Sequence, residues 1–218
     1  MRVGVIDYGV GNLGSVVGAL EALGVAAVLV TDPKHIHTTD RLILPGVGNF
    51  SDCAARLHAG GWTAALHEEV QLARKPLLGI CLGMQLLAST SLEGSADHES
   101  DGTPGLNLIP GRVTGLRTLG CRLRIPHVGW NSVISRTPSG SGSGGPFDGI
   151  PDESDFYFVH SYAFVPDDPS HVSATTNYDI TVTAAVRFGH VWGTQFHPEK
   201  SSRAGFRLLR NFIEQAAC

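Results

Sequence analysis

The chain has 218 residues, of which 42% are hydrophobic and 17% are charged, and its formal net charge is −4. These values are ordinary for a globular enzyme, and the lack of a long basic run argues against a nucleic-acid-binding surface. No apolar stretch approaches the roughly 20 residues needed to cross a bilayer, and Asp7 comes before a signal-peptide core could form. The four cysteines are widely spaced without a CxxC pair, which predicts a reduced, cytoplasmic protein.

Short apolar runs alternate with helix-like segments through the first half of the chain. The predicted elements are strand Arg2–Asp7, helix Asn12–Leu23, strand Val25–Val30, strand Arg41–Leu44, helix Ser51–Arg74 broken at Gly60-Gly61, strand Pro76–Ile80 and helix Leu82–Ser89. Continuous apolar strands separated by helices are typical of a parallel sheet that is buried on both faces.

The second half is richer in strands and turns. The predicted strands are Arg112–Leu116, His127–Ile134, Phe156–Tyr162, Val172–Thr176, Thr181–Arg187 and His190–Phe196, before a final helix from Ser202 to about Ala216. We expect these strands to extend the same sheet in antiparallel fashion, and residues 91–104 and 137–151 to form surface loops. The prediction is a single α/β domain over residues 1–218, with an open mixed sheet whose parallel core carries helices on both faces.

A candidate nucleophile lies in Gly79-Ile80-Cys81-Leu82-Gly83, where the fourth predicted strand passes into a helix. This is the nucleophile-elbow pattern with cysteine in place of serine, and its glycines leave room for neighbouring backbone. The start of a helix also favours a thiolate. The pattern therefore predicts attack by Cys81, with the Leu82 N–H as a donor to the oxyanion. A buried structural cysteine in a glycine-rich turn is the alternative.

A thiol nucleophile needs a base, and the base needs a group that orients it. The segment His197-Pro198-Glu199 follows the last predicted strand. Pro198 biases His197 toward an extended conformation, in which residues i and i+2 face the same side. Glu199 is therefore predicted to hold one ring nitrogen of His197 while the other faces Cys81. A solvated turn is the alternative.

A glycine-rich turn, Pro45-Gly46-Val47-Gly48-Asn49, follows the third predicted strand. Turns at the carboxyl ends of parallel strands lie where open α/β sheets bind ligands. The N–H groups of Gly46, Val47 and Gly48 could therefore complete an oxyanion hole with Leu82, unless this is an ordinary strand-to-helix turn. No three or four ligands have the spacing of a metal site, so we predict neither a metal nor a cofactor.

The segment Gly9-Val10-Gly11-Asn12-Leu13-Gly14 follows the first predicted strand, and Asp32 follows the second. Together they match the dinucleotide-binding pattern in its expected context. A nicotinamide-dependent oxidoreductase is therefore a competing hypothesis. It explains neither the cysteine elbow nor the His-Pro-Glu segment, which is why we favour cysteine-based catalysis.

Taken together, these motifs resemble those of the class I glutamine amidotransferases. The matching segments are Asp7–Asn12, Pro45–Phe50, Gly79–Leu87, Val128–Asn131, Val159–Tyr162 and Gln195–Ser201, and the likeness extends from Arg2 to Phe212. The Gly-Trp-Asn and opening Asp-Tyr-Gly segments are similar to those of one subfamily, the glutaminase subunits of imidazole glycerol phosphate synthase. Val128, where that subfamily often has methionine, and the two long loops depart from its pattern.

The resemblance implies a glutaminase without a cofactor that passes ammonia to a cyclase subunit, as a heterodimer, in histidine biosynthesis. It implies a catalytic triad of Cys81, His197 and Glu199, and oxyanion donors from Leu82 and the turn Gly46–Gly48. By the same resemblance, glutamine would be held by Gln85 and the backbone of His160, Ser161 and Tyr162. The face toward the cyclase would carry Asn12, Trp130, Tyr162 and Lys200. A glutaminase serving another synthase and a non-catalytic scaffold of the same shape remain alternatives.

Overall fold

The computed structural model describes residues 1–93, 102–136 and 144–215. Its strands are β1 (Arg2–Ile6), β2 (Ala26–Val30), β3 (Arg41–Gly46), β4 (Leu77–Cys81), β5 (Thr90–Ser91), β6 (Thr103–Pro104), β7 (Gly111–Gly115), β8 (His127–Ser135), β9 (Ser154–His160), β10 (Tyr162–Pro166), β11 (Val172–Tyr178), β12 (Ile180–Phe188) and β13 (Val191–Thr194). Its α-helices are α1 (Leu13–Ala22), α2 (Phe50–Ala59), α3 (Trp62–Leu66), α4 (Leu82–Leu86) and α5 (Ser202–Glu214). The 3₁₀ turns Pro33–Thr38, Pro169–His171 and Pro198–Lys200 and a π-helical turn, His67–Leu72, complete the elements.

Within the described residues, the larger sheet has nine strands in the order β2-β1-β3-β4-β13-β12-β11-β8-β9. The strands from β2 to β13 pair in parallel, and those from β12 to β9 continue the sheet in antiparallel fashion. The predicted α/β class, with an open mixed sheet and a parallel core, is confirmed.

Helices cover both faces of the parallel strands because alternate residues of a strand point to opposite sides. On β3, Leu42 and Leu44 pack in one core with α2, α3 and α4. Ile43 between them belongs to a second core with α1 and α5. Both β3 and β4 are buried along their whole length, which explains their continuous apolar sequences.

The last strand departs from the prediction. We expected His190–Phe196 to belong to the antiparallel extension, but β13 pairs in parallel with β4, from Val191 opposite Leu77 to Thr194 opposite Ile80. It is antiparallel only to β12 on its other side. Strand order depends on packing between distant segments, and the apolar pattern of the strand does not reveal it.

Two further strand predictions were wrong in their pairing. The predicted strand Arg112–Leu116 corresponds to β7, which lies in a separate four-stranded sheet of the described chain, in the order β10-β7-β5-β6. The predicted strand Phe156–Tyr162 divides at Ser161, because β9 pairs with β8 up to His160 while β10 begins a pairing with β7 at Tyr162. Ser161 therefore marks a change of sheet.

The helix predictions agree with the structure better than the strand pairings do. The break at Gly60-Gly61 is confirmed, with Gly61 at a φ of +74°. The helix predicted to reach Ser89 ends at Leu86, because the Leu86 carbonyl accepts a hydrogen bond from the Leu106 N–H at 2.8 Å instead of continuing the helix. Residues 94–101 and 137–143 of the two predicted loops lie outside the described residues, as does Ala216 at the predicted end of the last helix.

Candidate active site

Cys81 occupies a strained turn between β4 and α4. Its φ is 55° and its ψ is −112°, a conformation that costs a non-glycine residue on the order of 1–3 kcal/mol. The flanking glycines make this turn possible. A Cβ on Gly83 would overlap the Leu44 carbonyl oxygen, and one on Gly79 would lie 2.6 Å from the Gly83 oxygen. Backbone packing therefore requires both glycines and places the thiol at the carboxyl end of a central strand.

His197 reaches the same edge of the sheet from the neighbouring strand β13. Its Nδ1 lies 2.8 Å from Oε1 of Glu199, and the two side chains are 5% and 1% exposed. The predicted contact is present, and His197 has the predicted extended conformation, but the extension does not continue to Glu199. Pro198–Lys200 forms a 3₁₀ turn, and this turn brings the Glu199 carboxylate back to the ring.

The surroundings of His197 favour its protonated form. Burial alone would lower the pKa of the imidazole, but its interactions with Cys81 and Glu199 outweigh burial and raise the pKa to about 9. At neutral pH His197 therefore carries a proton that it can donate.

The Cys81 thiol and the His197 ring open onto one cleft of about 400 Å³. The sulfur lies 3.8 Å from the Val159 carbonyl oxygen and 3.9 Å from the amide nitrogen of Gln195. Nε2 of His197 is buried, and it makes no hydrogen bond to any group in the described part of the chain. In this structure the thiol also contacts the Val159 carbonyl, and Nε2 of His197, which has no hydrogen-bond partner among the described residues, is available for a proton transfer.

The turn after β3 forms another side of the cleft, with Val47, Gly48 and Leu82 among the lining residues. Gly46 lies deeper, where a Cβ would come within 2.8 Å of the α4 backbone. The Val47 carbonyl oxygen lies 3.5 Å from the Cys53 thiol of α2, which can donate to it. Because the C=O and N–H of a trans peptide point in opposite directions, this contact directs the Gly48 N–H away from α2.

The predicted substrate residues line the facing wall. His160, Ser161 and Tyr162 follow one another there, and Gln85 projects from α4. The Gln85 amide nitrogen donates to the Tyr162 carbonyl oxygen at 3.1 Å and to Oε1 of Gln195 at 2.9 Å. Gln85 therefore links α4 to β10 and to the segment after β13. These side-chain hydrogen bonds hold this side of the cleft in place.

Sequence reasoning missed four residues that border the thiol or the cleft: Glu93, Pro126, Val159 and Gln195. Glu93 accepts a hydrogen bond from the Phe50 N–H at 2.9 Å, and burial raises the pKa of its carboxyl above the ordinary value. It lies in a segment predicted to be a surface loop, where no local pattern distinguishes a ligand-facing carboxylate. Gln195 was noticed only as part of the His-Pro-Glu motif.

The four residues expected at a partner interface differ in exposure and surroundings. The Trp130 side chain is 53% exposed and contacts the Tyr157 ring edge-on at 6.0 Å. Nζ of Lys200 lies 5.9 Å from the centre of the same ring. Asn12 is exposed at the start of α1, whereas Tyr162 lies in the cleft.

The family model for glutamine amidotransferase class-I matches residues 4–216. The chain belongs to the class I glutamine amidotransferase family.

Two curated relatives are subunits of one synthase. The chain is 45% identical to imidazole glycerol phosphate synthase subunit HisH from Moorella thermoacetica, over 97% of this chain and 94% of the relative. It is 41% identical to the subunit of the same name from Geobacter sulfurreducens, over 98% of each chain.

Solved structures share the fold at lower identity. A crystal structure described as glutamine amidotransferase has a TM-score of 0.74 at 22% identity, covering 99% of both chains. The structure of PurLQS from Thermotoga maritima has a TM-score of 0.68 at 16% identity, covering 97% of both chains. Among the described residues, the helices are too short or too polar to span a membrane.

Proposed function

We propose that this chain is the glutaminase subunit of an imidazole glycerol phosphate synthase. It hydrolyses glutamine to glutamate and ammonia and delivers the ammonia to a cyclase subunit. The shared name of relatives that align over nearly their full length supports this choice of synthase. The observation that carries the chemistry is the single cleft that contains a strained Cys81 and a buried His197–Glu199 pair.

In the first half of the reaction, the Cys81 thiolate attacks the carboxamide carbon of glutamine and forms a tetrahedral oxyanion. The carbon–nitrogen bond then breaks as His197 donates its proton to the departing nitrogen, which leaves as ammonia. A thioester to Cys81 remains. The raised pKa of His197, to about 9, supports its role as the acid in this step.

In the second half, neutral His197 takes a proton from water, and the hydroxide formed attacks the thioester carbon. The carbon–sulfur bond breaks, glutamate leaves and the Cys81 thiolate with protonated His197 is restored. Glu199 keeps Nδ1 of the ring as a donor, so that Nε2 is the nitrogen that exchanges protons. Because the thiol must stay reduced, this chemistry also supports action in a reducing compartment such as the cytoplasm.

The N–H groups of Leu82 and Gly48 are the proposed oxyanion donors. Leu82 begins α4 directly after the nucleophile, and the contact between the Val47 carbonyl and Cys53 turns the Gly48 N–H away from α2. Removing one such donor typically lowers the rate on the order of 10²–10³-fold. The Glu93 carboxylate lines the same cleft and has the charge to receive the α-ammonium group of glutamine.

An exposed apolar patch on β8 and β9 supports a docking surface for the cyclase subunit. The patch consists of Val128 and Trp130 on β8 and their cross-strand partners Val159 and Tyr157 on β9. Val128 is 55% exposed and Trp130 is 53% exposed, and aromatic residues are enriched at protein interfaces. Ammonia released into water would be protonated, so docking beside the cleft keeps it available as a nucleophile.

The test is glutamate release by the purified chain, alone and with an imidazole glycerol phosphate cyclase subunit. We expect Cys81→Ala to abolish glutamine-dependent turnover because no thioester can form. The variant should leave ammonia-dependent synthesis by the partner intact. Loss of both activities would contradict this division of labour.

The same assay separates the alternatives. Glutamate release that responds to a different synthase, found as the co-purifying partner, would identify another amidotransferase. No release with any partner would indicate a non-catalytic scaffold. The dinucleotide-binding hypothesis needs Asp32, whose side chain caps the turn Pro33–Thr38 by accepting the Lys34 N–H at 2.9 Å; absence of NADH quenching on titration, alongside glutamate release, would exclude it.

A further inference from the structure

Two buried histidines outside the proposed triad form a pair beside the cleft. His127 begins β8, His160 ends β9, and the two residues are opposite each other in the ladder. Nδ1 of His127 lies 3.0 Å from Nε2 of His160. The proposed reaction gives this pair no role, although His160 lines the cleft.

One end of the pair is fixed by Asn131. Its Oδ1 accepts the Ser132 N–H at 2.9 Å, and its Nδ2 donates to the Asn177 carbonyl oxygen at 2.9 Å. The amide orientation is therefore set by backbone groups. Nδ2 lies 3.3 Å from Nε2 of His127, so this ring nitrogen must accept, and the proton of neutral His127 must be on Nδ1.

The other end is fixed by a backbone carbonyl. Nδ1 of His160 lies 2.7 Å from the Tyr162 oxygen, which can only accept. Neutral His160 therefore carries its proton on Nδ1, and its Nε2 accepts the proton of His127. The two ends require the same proton arrangement independently. A second proton on either ring would face another donor, and burial lowers the pKa of both histidines to about 4.

Packing holds the first ring of this chain. The His127 ring stacks on Tyr178 at 3.9 Å between centroids and on Phe158 at 4.8 Å. This sandwich fixes the plane of the ring, and hence the direction in which its Nδ1–H points. His127 itself is not among the residues that line the cleft, so it acts through His160.

The chain of hydrogen bonds continues to the nucleophile. The Tyr162 carbonyl that accepts from His160 also accepts from Gln85 at 3.1 Å. Gln85 donates in addition to Gln195 at 2.9 Å, and the Gln195 amide nitrogen lies 3.9 Å from the Cys81 sulfur. Hydrogen bonds thus connect His127 on β8 to the side of the cleft that would hold glutamine.

We propose that His127, oriented by Asn131, is a positioning residue for glutamine: as a neutral Nδ1 donor it fixes His160, and thereby the Tyr162 carbonyl and the Gln85 side of the cleft. This inference rests on the proposed glutaminase function. It assigns His127 no contact with substrate. Its effect is expected on the Michaelis constant for glutamine more than on turnover, because the braced wall binds the substrate rather than the reacting atoms.

Two substitutions separate the donor from the packing. His127→Phe keeps an aromatic ring between Tyr178 and Phe158 but removes the donor. His127→Asn loses the ring but places an amide nitrogen near the position of Nδ1. In the complex with the cyclase subunit, we expect His127→Phe to raise KM for glutamine about three- to tenfold, as for one neutral hydrogen bond, with kcat within about twofold. His127→Asn should stay nearer to the wild-type KM.

His37 is an exposed histidine on the turn Pro33–Thr38. His37→Phe is therefore the matched control and should have the wild-type KM and kcat. A purely structural role for His127 predicts the reverse order, with Asn worse than Phe, and that order would overturn the proposal. An unchanged KM in His127→Phe would overturn it as well. Asn131→Ala provides a second variant outside the stacked core, and a smaller rise in KM is expected.

The ¹⁵N shifts of the imidazole rings give a readout that is independent of activity. At neutral pH, both His127 and His160 should be neutral with the proton on Nδ1. In His127→Phe the Nε2 resonance of His160 should shift because this nitrogen loses its donor, while the proton stays on Nδ1 toward the Tyr162 oxygen. A proton on Nε2 of either wild-type ring would overturn the inference. If the wild-type complex releases no glutamate, the proposed function fails, and the spectrum still decides the proton arrangement.

Discussion

At the scale of single residues, the site depends on glycines, which have no side chain, as much as on the catalytic side chains. Cys81 can adopt its strained conformation only because Gly83 lets α4 approach β3 and Gly79 lets the turn close on itself. The His197–Glu199 hydrogen bond forms within a single 3₁₀ turn, and this turn also packs against a glycine, because a Cβ on Gly205 would overlap the Pro198 carbonyl oxygen. Both parts of the site therefore depend on close packing of backbone against glycine.

A methyl group at Gly83 tests this dependence. We expect Gly83→Ala to lower the free energy of unfolding by about 1–3 kcal/mol, because overpacking against a backbone oxygen forces a main-chain shift. Glutamine hydrolysis should fall at least about tenfold, since Leu82 and Cys81 move with it. Urea denaturation and glutamate release measure the two effects.

Gly18 in α1 is the control for Gly83. A Cβ there would meet no atom within 4 Å, so Gly18→Ala should stabilise the helix by about 0.5–1 kcal/mol and leave hydrolysis unchanged. Equal effects of the two substitutions would show that the close approach at the elbow is not what constrains position 83.

At the scale of elements, the pair β8 and β9 carries a buried histidine network within the larger sheet. Its first rung carries His127 and His160, which are neutral in the fold because burial lowers the pKa of each to about 4. The unfolded chain has histidine pKa values near 6.5. Between these values the unfolded state binds more protons, which makes the fold sensitive to acid.

The sign of this effect follows from linkage. The contribution of the pair to stability is fully present above about pH 6.5 and is lost as the pH falls toward about 4, by up to about 1.4 kcal/mol per pH unit for each histidine. His197 faces His160 and opposes its protonation. His197 affects stability in a different pH range. Because its pKa is raised to about 9, it stabilises the fold at lower pH, and this stabilisation is lost as the pH rises through about 9.

Urea denaturation between about pH 7 and about pH 5 tests the acid sensitivity. Wild type should lose stability steadily as the pH falls through this range. His127→Phe should show a shallower slope, because one of the two groups no longer titrates and the ring packing is kept. Identical slopes would contradict the assignment of acid sensitivity to this pair.

The sequence predicts the features that depend on neighbouring residues and misses those that depend on segments far apart in the chain. The glycines around Cys81 and the order of His197 and Glu199 are local signals, and the structure has the elbow and the hydrogen bond there. The contact between Gln195 and Cys81 depends on β13 lying beside β4, and the change of sheet at Ser161 depends on which strand each half meets. These pairings are decided between segments far apart in sequence, where a hydrophobic pattern carries no information.

At the scale of the whole molecule, the cleft and the exposed patch share an edge. Val159 belongs to both, because it lines the cleft while its side chain is 39% exposed, and its carbonyl oxygen is near the Cys81 sulfur. A cyclase subunit docked on the patch would therefore cover one side of the reaction site. The placement suits a reaction whose product must be transferred without escaping into solvent.

Binding of the cyclase subunit tests the patch. Trp130→Ala should weaken the complex by about tenfold or more, because exposed aromatic residues at the centre of an interface often act as hot spots. Leu72→Ala, at a side chain that is 79% exposed on the π-helical turn, should bind as wild type. Isothermal titration calorimetry measures both. Wild-type affinity in Trp130→Ala would place the docking surface elsewhere.

The alternation along β8 has a consequence for insertions. His127 and Asn131 point inward to the histidine network, and Val128 and Trp130 point outward, so the two sides of one strand serve different purposes. A side-chain period of two means that shifting the strand by a single position exchanges the sides completely. An insertion that shifts the whole of β8 by one position against β9 would expose the His127 imidazole to water and bury the Trp130 side chain, and so damage substrate handling and assembly in one event.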